Sequence, residues 1–176
     1  MEVRLDQLGE EPFNWEESLA ISRDELGDPD VLEVSTVVCR GSIRPATPGF
    51  LLEMSLAYDQ RLVCTRCLQG LALPVAVETA TLVLVEEEAT HDVRAMDQQL
   101  AAEDLGVLVV TGQRLDTRPL VLEQLQLQVP MRSLCREDCA GLCATCGADL
   151  NTGACDCRES ADPRWAALAR MKEDAG

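Results

Sequence analysis

Eight of the nine cysteines in this 176-residue chain form four close pairs. The pairs are Cys64 with Cys67, Cys135 with Cys139, Cys143 with Cys146, and Cys155 with Cys157. Structural zinc is commonly held in a tetrahedron by four thiolates that arrive as two such pairs. The acidic N-terminus lacks the basic and then apolar pattern of a signal peptide, so we expect a cytoplasmic protein, in which disulfides are rare. The cysteines therefore predict two structural Zn²⁺ ions.

Spacing favours one four-cysteine site, and the two pairs left over are assigned to a second. Cys143 and Cys146 are separated by two residues and followed by Gly147, which is the pattern of a zinc knuckle. A turn of Asn151, Thr152 and Gly153 then returns the chain to the next pair. Site 1 is predicted to comprise Cys143, Cys146, Cys155 and Cys157, and site 2 to comprise Cys64, Cys67, Cys135 and Cys139.

Other uses of these cysteines remain open at the level of sequence. Residues 135–146 contain four cysteines that form one contiguous site in an alternative partition, which leaves Cys155 and Cys157 for Cys64 and Cys67. Four thiolates also suit an iron-sulfur cluster. Disulfides, or a redox dithiol at Cys64 and Cys67, are further alternatives. Cys39 has no nearby partner and is expected to be a small buried apolar residue.

Composition excludes several classes of function. The formal net charge is −16, and such a chain repels the phosphates of nucleic acids. His91 is the only histidine, so a hydrolase triad would have to be built on that one residue, and a two-histidine zinc-protease helix is impossible. A site made only of thiolates has no open coordination position for catalysis. We therefore expect a binding or assembly protein and not an enzyme.

The acidic charge is concentrated in two segments. Residues 1–30 contain ten acids and two arginines, and residues 86–104 contain seven acids and one arginine. Residues 31–85 between them contain four acids and four arginines and are neutral. This distribution predicts a neutral folded centre with two acidic arms outside it. The second arm is expected to be an exposed loop with His91 on its surface.

Alternation of apolar and polar residues indicates a β-sheet in the neutral centre. Residues 52–62 alternate at the two-residue period of a half-buried strand, and residues 32–38 repeat the pattern over a shorter length. Residues 44–49 separate these two runs with turn-forming residues, and residues 71–85 form a third run rich in Val and Thr. Three consecutive strands are most simply connected as an antiparallel meander.

The remaining elements are shorter. Residues 107–111 indicate another strand, and Asp116 or Thr117 is placed to cap a helix that ends before Pro130. Alternation over residues 125–129 competes with that helix and favours a strand. A last helix begins at residues 162–163.

The predicted fold class is α+β. It consists of an antiparallel β-sheet, as a meander or partial barrel, with a few short helices and a C-terminal cysteine-rich zinc-knuckle segment. Residues 1–134 make up the acidic segment and the sheet domain with its acidic loop at 86–104. Residues 135–176 make up the zinc-binding segment and the C-terminal helix, packed on the same domain.

The motifs resemble those of the YceD family, the bacterial large ribosomal RNA subunit accumulation proteins. The resemblance begins with Cys-x-Arg-Cys-Leu at residues 64–68 and with Val-Pro-Met at 129–131, where the family has Leu-Pro-Met. It continues with Cys-x-x-x-Cys-x-Gly-Leu-Cys-x-x-Cys-Gly-x-Asp-Leu-Asn at 135–151 and Asp-Pro-Arg-Trp-Ala-Ala-Leu at 162–168. The resemblance implies a non-enzymatic role in ribosome biogenesis, in the accumulation of 23S ribosomal RNA.

The charge suggests how such a role is carried out. As a hypothesis, the acidic segments bind a basic ribosomal protein or a large-subunit assembly intermediate until ribosomal RNA displaces it. A thiol-redox or metal-responsive regulatory protein is one alternative. A direct RNA-binding protein is another, and it would use a local patch composed of Arg61, Arg66, Arg114 and Arg118.

Overall fold

The computed structural model describes residues 1–86 and 106–157. The strands are β1 (Glu2–Arg4), β2 (Phe13–Leu19), β3 (Val31–Val34), β4 (Val37–Ala46), β5 (Gly49–Val63), β6 (Gly70–Glu86), β7 (Val107–Thr111) and β8 (Arg114–Asp116). The helices are α1 (Arg23–Leu26) and α2 (Thr117–Leu127), and a 3-10 turn spans Leu5–Gln7. The predicted acidic loop with His91 falls almost entirely on residues 87–105, and the predicted C-terminal helix falls on residues 158–176. Both lie outside the described residues.

The predicted antiparallel meander is confirmed in strands β4, β5 and β6. Each of these strands pairs with the next along the chain in antiparallel register. On β5, the even-numbered residues from 52 to 62 are buried and face the core, as the alternation predicts. The long β5–β6 hairpin is therefore buried on one face only. It ends at the turn that contains Cys64 and Cys67.

Two predicted strand boundaries are wrong. The turn expected over residues 44–49 is limited to Thr47 and Pro48, because the three residues before it pair with the start of β5. The run expected over residues 32–38 is split between β3 and β4 at Ser35 and Thr36. Both strands nevertheless pair with β5, since backbone and side-chain groups of Ser35 hydrogen-bond Asp59 at the break.

The N-terminal acidic segment is not an arm outside the sheet, which corrects the prediction from charge. Strand β2 pairs with β4 over seven residues and forms an edge of the main sheet. Strand β1 pairs with β8, and the N-terminal ammonium of Met1 lies 3.1 Å from a carboxylate oxygen of Glu17. Trp15 covers Gly41 on the neighbouring strand, where an added Cβ would overlap the indole ring. Pairing of β2 with β4 and the packing of Trp15 and Leu19 on one face of β2 thus fold this segment in spite of its charge.

Strand β7 forms where the sequence predicts it, but it joins the sheet in a parallel register. It pairs with the last five residues of β6, so the described strand order is β2-β4-β5-β6-β7 with β3 also on β5. The sheet is therefore mostly antiparallel with one parallel pair. A parallel neighbour requires a crossover connection, and alternation along a single strand carries no information on its direction.

Helix α2 covers the inner face of the sheet, and the prediction of a helix in this segment is confirmed. The side chain of Asp116 caps it by accepting a hydrogen bond from the N–H of Arg118. Val121 and Leu125 are buried against residues of β3, β4 and β5. Helical periodicity therefore wins over the alternation at residues 125–129, because packing on the sheet buries these two side chains on one helical face.

Polar groups also position both helices. Gln60 is 1% exposed, and its Nε2 donates to the carbonyl oxygen of Gln128 at the end of α2, at 3.2 Å. In α1, Ser22 and Glu25 form a capping box, and Glu25 also pairs with Arg118 of α2. No described helix is long and apolar enough to cross a membrane.

Candidate metal centres

Cys64 and Cys67 lie in the turn that connects β5 to β6. The N–H of Cys64 donates to the carbonyl of Gln69 at 2.8 Å, and the N–H of Leu68 donates to the carbonyl of Cys64 at 2.9 Å. Leu68 has a φ of 60°, a conformation that is unusual for a leucine. The turn directs both sulfurs to the same side, as a metal-chelating knuckle requires.

Cys143 and Cys146 lie in a second turn with the same backbone hydrogen bonds. The N–H of Cys143 donates to the carbonyl of Ala148 at 2.8 Å, and the N–H of Gly147 donates to the carbonyl of Cys143 at 2.9 Å. Gly147 has a φ of 73° at the position that Leu68 occupies in the first turn. Glycine adopts this conformation without steric cost. The two turns are therefore repeats of one local structure in distant parts of the chain.

The cysteines of site 2 come together in the structure. The Sγ atoms of Cys64 and Cys139 are 3.9 Å apart, and those of Cys67 and Cys135 are 3.6 Å apart. Zinc–sulfur bonds of about 2.3 Å in a tetrahedron place two sulfurs about 3.8 Å apart. All four Sγ atoms lie within 4.8 Å of one another, so the arrangement fits a tetrahedral ion.

The cysteines of site 1 form a second group of the same kind. The Sγ atoms of Cys143, Cys146, Cys155 and Cys157 also lie within 4.8 Å of one another. Site 1 is more open to solvent than site 2, where Cys64, Cys67 and Cys139 are buried. The structure thus groups the eight cysteines in the two sets that spacing favours and not in the alternative partition. Cys39 is fully buried among core residues, as expected.

Hydrogen bonds hold the segment before Cys135 on the end of the β5–β6 hairpin. Ser133 accepts at its carbonyl from the N–H of Thr65 at 2.9 Å, and its hydroxyl donates to the carbonyl of Val63 at 2.6 Å. Arg66 donates from Nη1 to the carbonyl of Cys139 at 2.6 Å. These hydrogen bonds therefore hold the third and fourth ligands of site 2 beside the first two.

The electrostatics of site 2 lower the pKa of Cys64 and Cys139 but raise the pKa of Cys67 and Cys135, so they oppose four thiolates together. Burial disfavours the charged form of Cys64, but the N–H groups of Cys67, Cys135 and Arg66 point at its sulfur, and the pKa of Cys64 is lowered to about 6. Burial and the neighbouring sulfurs raise the pKa of Cys135 to about 12. A cation at the centre would remove this repulsion, because metal binding favours the deprotonated form of each thiol.

Site 1 has the same electrostatic pattern. The N–H groups of Cys146 and Thr145 lower the pKa of Cys143 to about 6. The sulfur of Cys146 and burial raise the pKa of Cys157 to about 12. Each site therefore presents only sulfur ligands. A divalent ion at its centre would partly neutralise the negative charge of the thiolates. The donor sets fit structural zinc, and they leave no position for a substrate.

Asn151 contacts a ligand of site 2 from within the loop of site 1, although the sequence indicates only a turn at this residue. It lies in the loop between the two ligand pairs of site 1, and its Nδ2 is 3.4 Å from the Sγ of Cys139 in site 2. Its Oδ1 accepts from the N–H of Ala140 at 2.8 Å and from Arg136 at 2.8 Å. The available signal is the short string Asp149-Leu150-Asn151 after the knuckle, because Asn and Asp often bond nearby backbone groups.

The arginines proposed as a local RNA-binding patch are engaged within the protein. Ion pairs join Arg61 to Glu33, Arg114 to Glu2, and Arg118 to Glu25. Arg66 donates to the carbonyl oxygens of Glu137 and Cys139. Their charges are therefore partly neutralised or directed inward, which weakens the case for a cationic patch.

Comparisons with known proteins relate these features to a family. The family model described as "Large ribosomal RNA subunit accumulation protein YceD" matches residues 52–172. An uncharacterised protein of Mycobacterium tuberculosis is 29% identical over 155 residues, which are 88% of this chain and 66% of the relative. The uncharacterised protein YlbN of Bacillus subtilis is 24% identical over 174 residues, which are 97% of this chain and 95% of that protein.

A plant relative carries a functional name. The chloroplastic large ribosomal RNA subunit accumulation protein YCED homolog 1 of Arabidopsis thaliana is 32% identical over 60 residues, which are 34% of this chain and 19% of that protein. The chain spans about two thirds of the length of the mycobacterial relative. No solved structure matches the chain.

Proposed function

Because the chain belongs to the YceD family, we propose that it is a non-enzymatic factor in ribosome biogenesis. It supports the accumulation of 23S ribosomal RNA by binding a basic ribosomal protein or a large-subunit assembly intermediate in the cytoplasm. The observation that carries the proposal is the family match over residues 52–172, whose description refers to the large ribosomal RNA subunit. That description concerns accumulation of an RNA and does not refer to an enzymatic reaction.

The negative charge of the protein favours binding to a basic protein over direct binding to RNA. The whole chain carries a formal charge of −16. Among the described residues, six arginines lie within 4 Å of a carboxylate oxygen: Arg4, Arg40, Arg61, Arg114, Arg118 and Arg136. Free carboxylates attract a basic partner and repel phosphates, so the partner is expected to be a polycation.

Exposed acids of the N-terminal segment provide a surface for such a partner. Glu10, Glu11, Asp24 and Asp30 are exposed, and none of them forms an ion pair with another described residue. All four are held by folded elements: Glu10 and Glu11 precede β2, which pairs with β4, Asp24 lies in α1, and Asp30 immediately precedes β3. A fixed acidic surface loses less conformational entropy on binding than a free arm does.

Two structural zinc ions complete the proposal. Site 1 and site 2 each supply four sulfur ligands, and the fit of site 2 to a tetrahedron supports zinc. Eight thiolates with two Zn²⁺ would change the formal charge from −16 to about −20. Zinc would therefore brace the fold and also strengthen its attraction for a basic partner.

The proposed partner binding can be tested with two charge-matched variants. One variant neutralises the acidic surface by E10Q, E11Q, D24N and D30N. The control removes the same charge from the sheet and α2 by E53Q, D59N, E78Q and E123Q, which are also exposed. We expect the first variant to recover less large-subunit ribosomal protein from cell extract and to bind it more weakly at low salt, whereas the control retains binding. Equal loss in both variants would show a dependence on net charge alone, and no loss in either would contradict the proposal.

The thiol-redox alternative is less well supported by the geometry. A redox dithiol needs access for its partner, but Cys64 is 0% exposed and Cys67 is 4% exposed. Metal analysis of protein purified without chelator, followed by thiol titration before and after chelation, distinguishes the two functions. Two zinc ions per chain and eight thiols released by chelation would support the structural sites. A reversible disulfide between Cys64 and Cys67 in metal-free protein as isolated would support the redox function.

A further inference from the structure

Asn151 makes a complete set of side-chain hydrogen bonds between the two candidate metal sites. Its Nδ2 donates to the Sγ of Cys139 at 3.4 Å and to Oδ1 of Asp149 at 2.7 Å. Its Oδ1 accepts from the N–H of Ala140 and from Arg136, both at 2.8 Å. Asp149 and Cys139 can only accept hydrogen bonds here, and Ala140 and Arg136 can only donate them. The amide therefore has one possible orientation, with its NH₂ group toward the sulfur.

We propose that Asn151 is a positioning residue that couples metal binding at site 1 to metal binding at site 2. The inference rests on the two zinc sites proposed above. Asn151 belongs to the loop between Cys146 and Cys155 of site 1, yet it donates to a ligand sulfur of site 2. An ion held by Cys146 and Cys155 would close this loop and thereby keep the donor beside Cys139.

The coupling follows from what each ion does to the shared loop. Cys139 is 1% exposed, so few water molecules can replace a lost donor to its sulfur. A donor that is already held in place stabilises a metal thiolate without a further loss of loop entropy. An ion in site 2 would in turn fix Cys139. The hydrogen bond from Asn151 to Cys139 would then keep the loop in the conformation that brings the site 1 ligands together.

Other contacts make the connection between the sites rigid. Leu142 and Asp149 form a β-bridge, and the N–H of Leu150 donates to the carbonyl of Gly141 at 2.9 Å. Gln69 of the first knuckle donates to Oδ2 of Asp149 at 2.9 Å. The loop that carries Asn151 is thus attached to both turns, and a displacement at one site is transmitted to the other.

Thermodynamic linkage fixes the form of the effect. If an ion in site 1 raises the affinity of site 2 by some factor, an ion in site 2 raises the affinity of site 1 by the same factor. Removal of a hydrogen bond to a metal ligand typically lowers metal affinity by about 10- to 100-fold. We therefore expect the N151A variant to release metal from site 2 at a lower concentration of chelator, by a factor in this range.

The test uses the full chain loaded with ¹¹³Cd²⁺, which occupies thiolate sites and gives a separate NMR resonance for each. Variants C155S/C157S and C64S/C67S assign the resonances, and competition with a chelator measures the affinity of each site. The affinity of site 2 is then compared in four proteins: wild type, N151A, C155S/C157S, and the combination of these changes. T152A is the matched control, because Thr152 lies in the same loop and bonds only the carbonyl of Asp149 through its hydroxyl.

We expect N151A to weaken site 2 and to shift its ¹¹³Cd resonance, whereas T152A leaves both unchanged. We also expect that loss of site 1 weakens site 2, and that N151A adds nothing once site 1 is disabled. Equal effects of N151A with and without site 1 would overturn the coupling, because Asn151 would then act on Cys139 alone. Unchanged affinity of site 2 in N151A would overturn it as well. Wild-type protein that binds no cadmium would overturn both the metal sites and the coupling, so the two failures are distinguishable.

Discussion

Loss of site 2 should destabilise the protein more than loss of site 1. Cys135 and Cys157 are the matched pair for this comparison, because each is an exposed ligand of its site and is replaced by the nearly isosteric serine. C135S removes a ligand from site 2, and C157S removes one from site 1. Neither change creates a cavity in the sheet core, so the difference between the variants reports on the metal sites.

The magnitude follows from the length of chain that each ion closes. Cys67 and Cys135 are 68 residues apart, whereas Cys146 and Cys155 are nine residues apart. The loop-closure relation for cross-links gives about 4.4 kcal/mol for the longer loop and about 2.6 kcal/mol for the shorter one. Site 1 can also hold metal while the sheet is unfolded, since its ligands all lie within residues 143–157, and binding to the unfolded state reduces the stabilisation further.

Urea unfolding followed by circular dichroism tests this order at saturating zinc and in the presence of reductant, with zinc content measured for each variant. With a slope of about 1.5 kcal/mol per molar urea, the midpoint of C135S should lie about 1 M below that of C157S. If each variant loses one zinc ion and C157S is destabilised as much as C135S or more, the argument from loop length is wrong.

Three further predictions concern the elements that position the sites. Q60A removes a buried side chain that donates to the carbonyl of Gln128 at the end of α2, and we expect a loss of about 1–3 kcal/mol in the free energy of unfolding by urea. G41A places a Cβ against the indole ring of Trp15, and we expect a loss of about 1–3 kcal/mol and a shift in tryptophan fluorescence, which a second change of Trp15 to Ala should partly reverse. The pKa of Glu25 is lowered to about 2 by the N-cap serine and then by the neighbouring arginine, so its contribution to stability is present above about pH 4.5 and is lost as the pH falls toward 2. E25Q should therefore lower the thermal midpoint at pH 7 and reduce its difference from the wild type as the pH falls through this range.

Local features of the candidate sites could be predicted because their causes are local. Two intervening residues between Cys143 and Cys146 with a following glycine are sufficient for a knuckle turn. The same spacing at Cys64 and Cys67 gives the same turn, although Leu68 occupies the position of the glycine. Asn151 was missed as a functional residue, since its sulfur contact depends on a cysteine 12 positions away.

Other expectations were wrong because net charge and strand composition do not determine how strands pair. The charge of residues 1–30 predicts an arm, yet β2 pairs with β4, and Trp15 and Leu19 are half-buried on one face of β2. Net charge influences solubility and association, but it does not decide which backbone groups pair. The parallel direction of β7 depends on the connection from β6 and not on the composition of the strand.

The sequence by itself determined which side chains are candidate metal ligands, the two knuckle turns and the alternation that buries one face of β5. These follow from residue type and spacing over a few positions, where the geometry of the chain leaves few choices. Only the tertiary structure decided which cysteine pairs share a site. Cys64 meets Cys139 across 75 residues, because the β5–β6 hairpin extends its turn to the place where Ser133 holds the later segment. Contacts of that separation arise from the sheet as a whole, and the spacing of the cysteines is compatible with more than one arrangement.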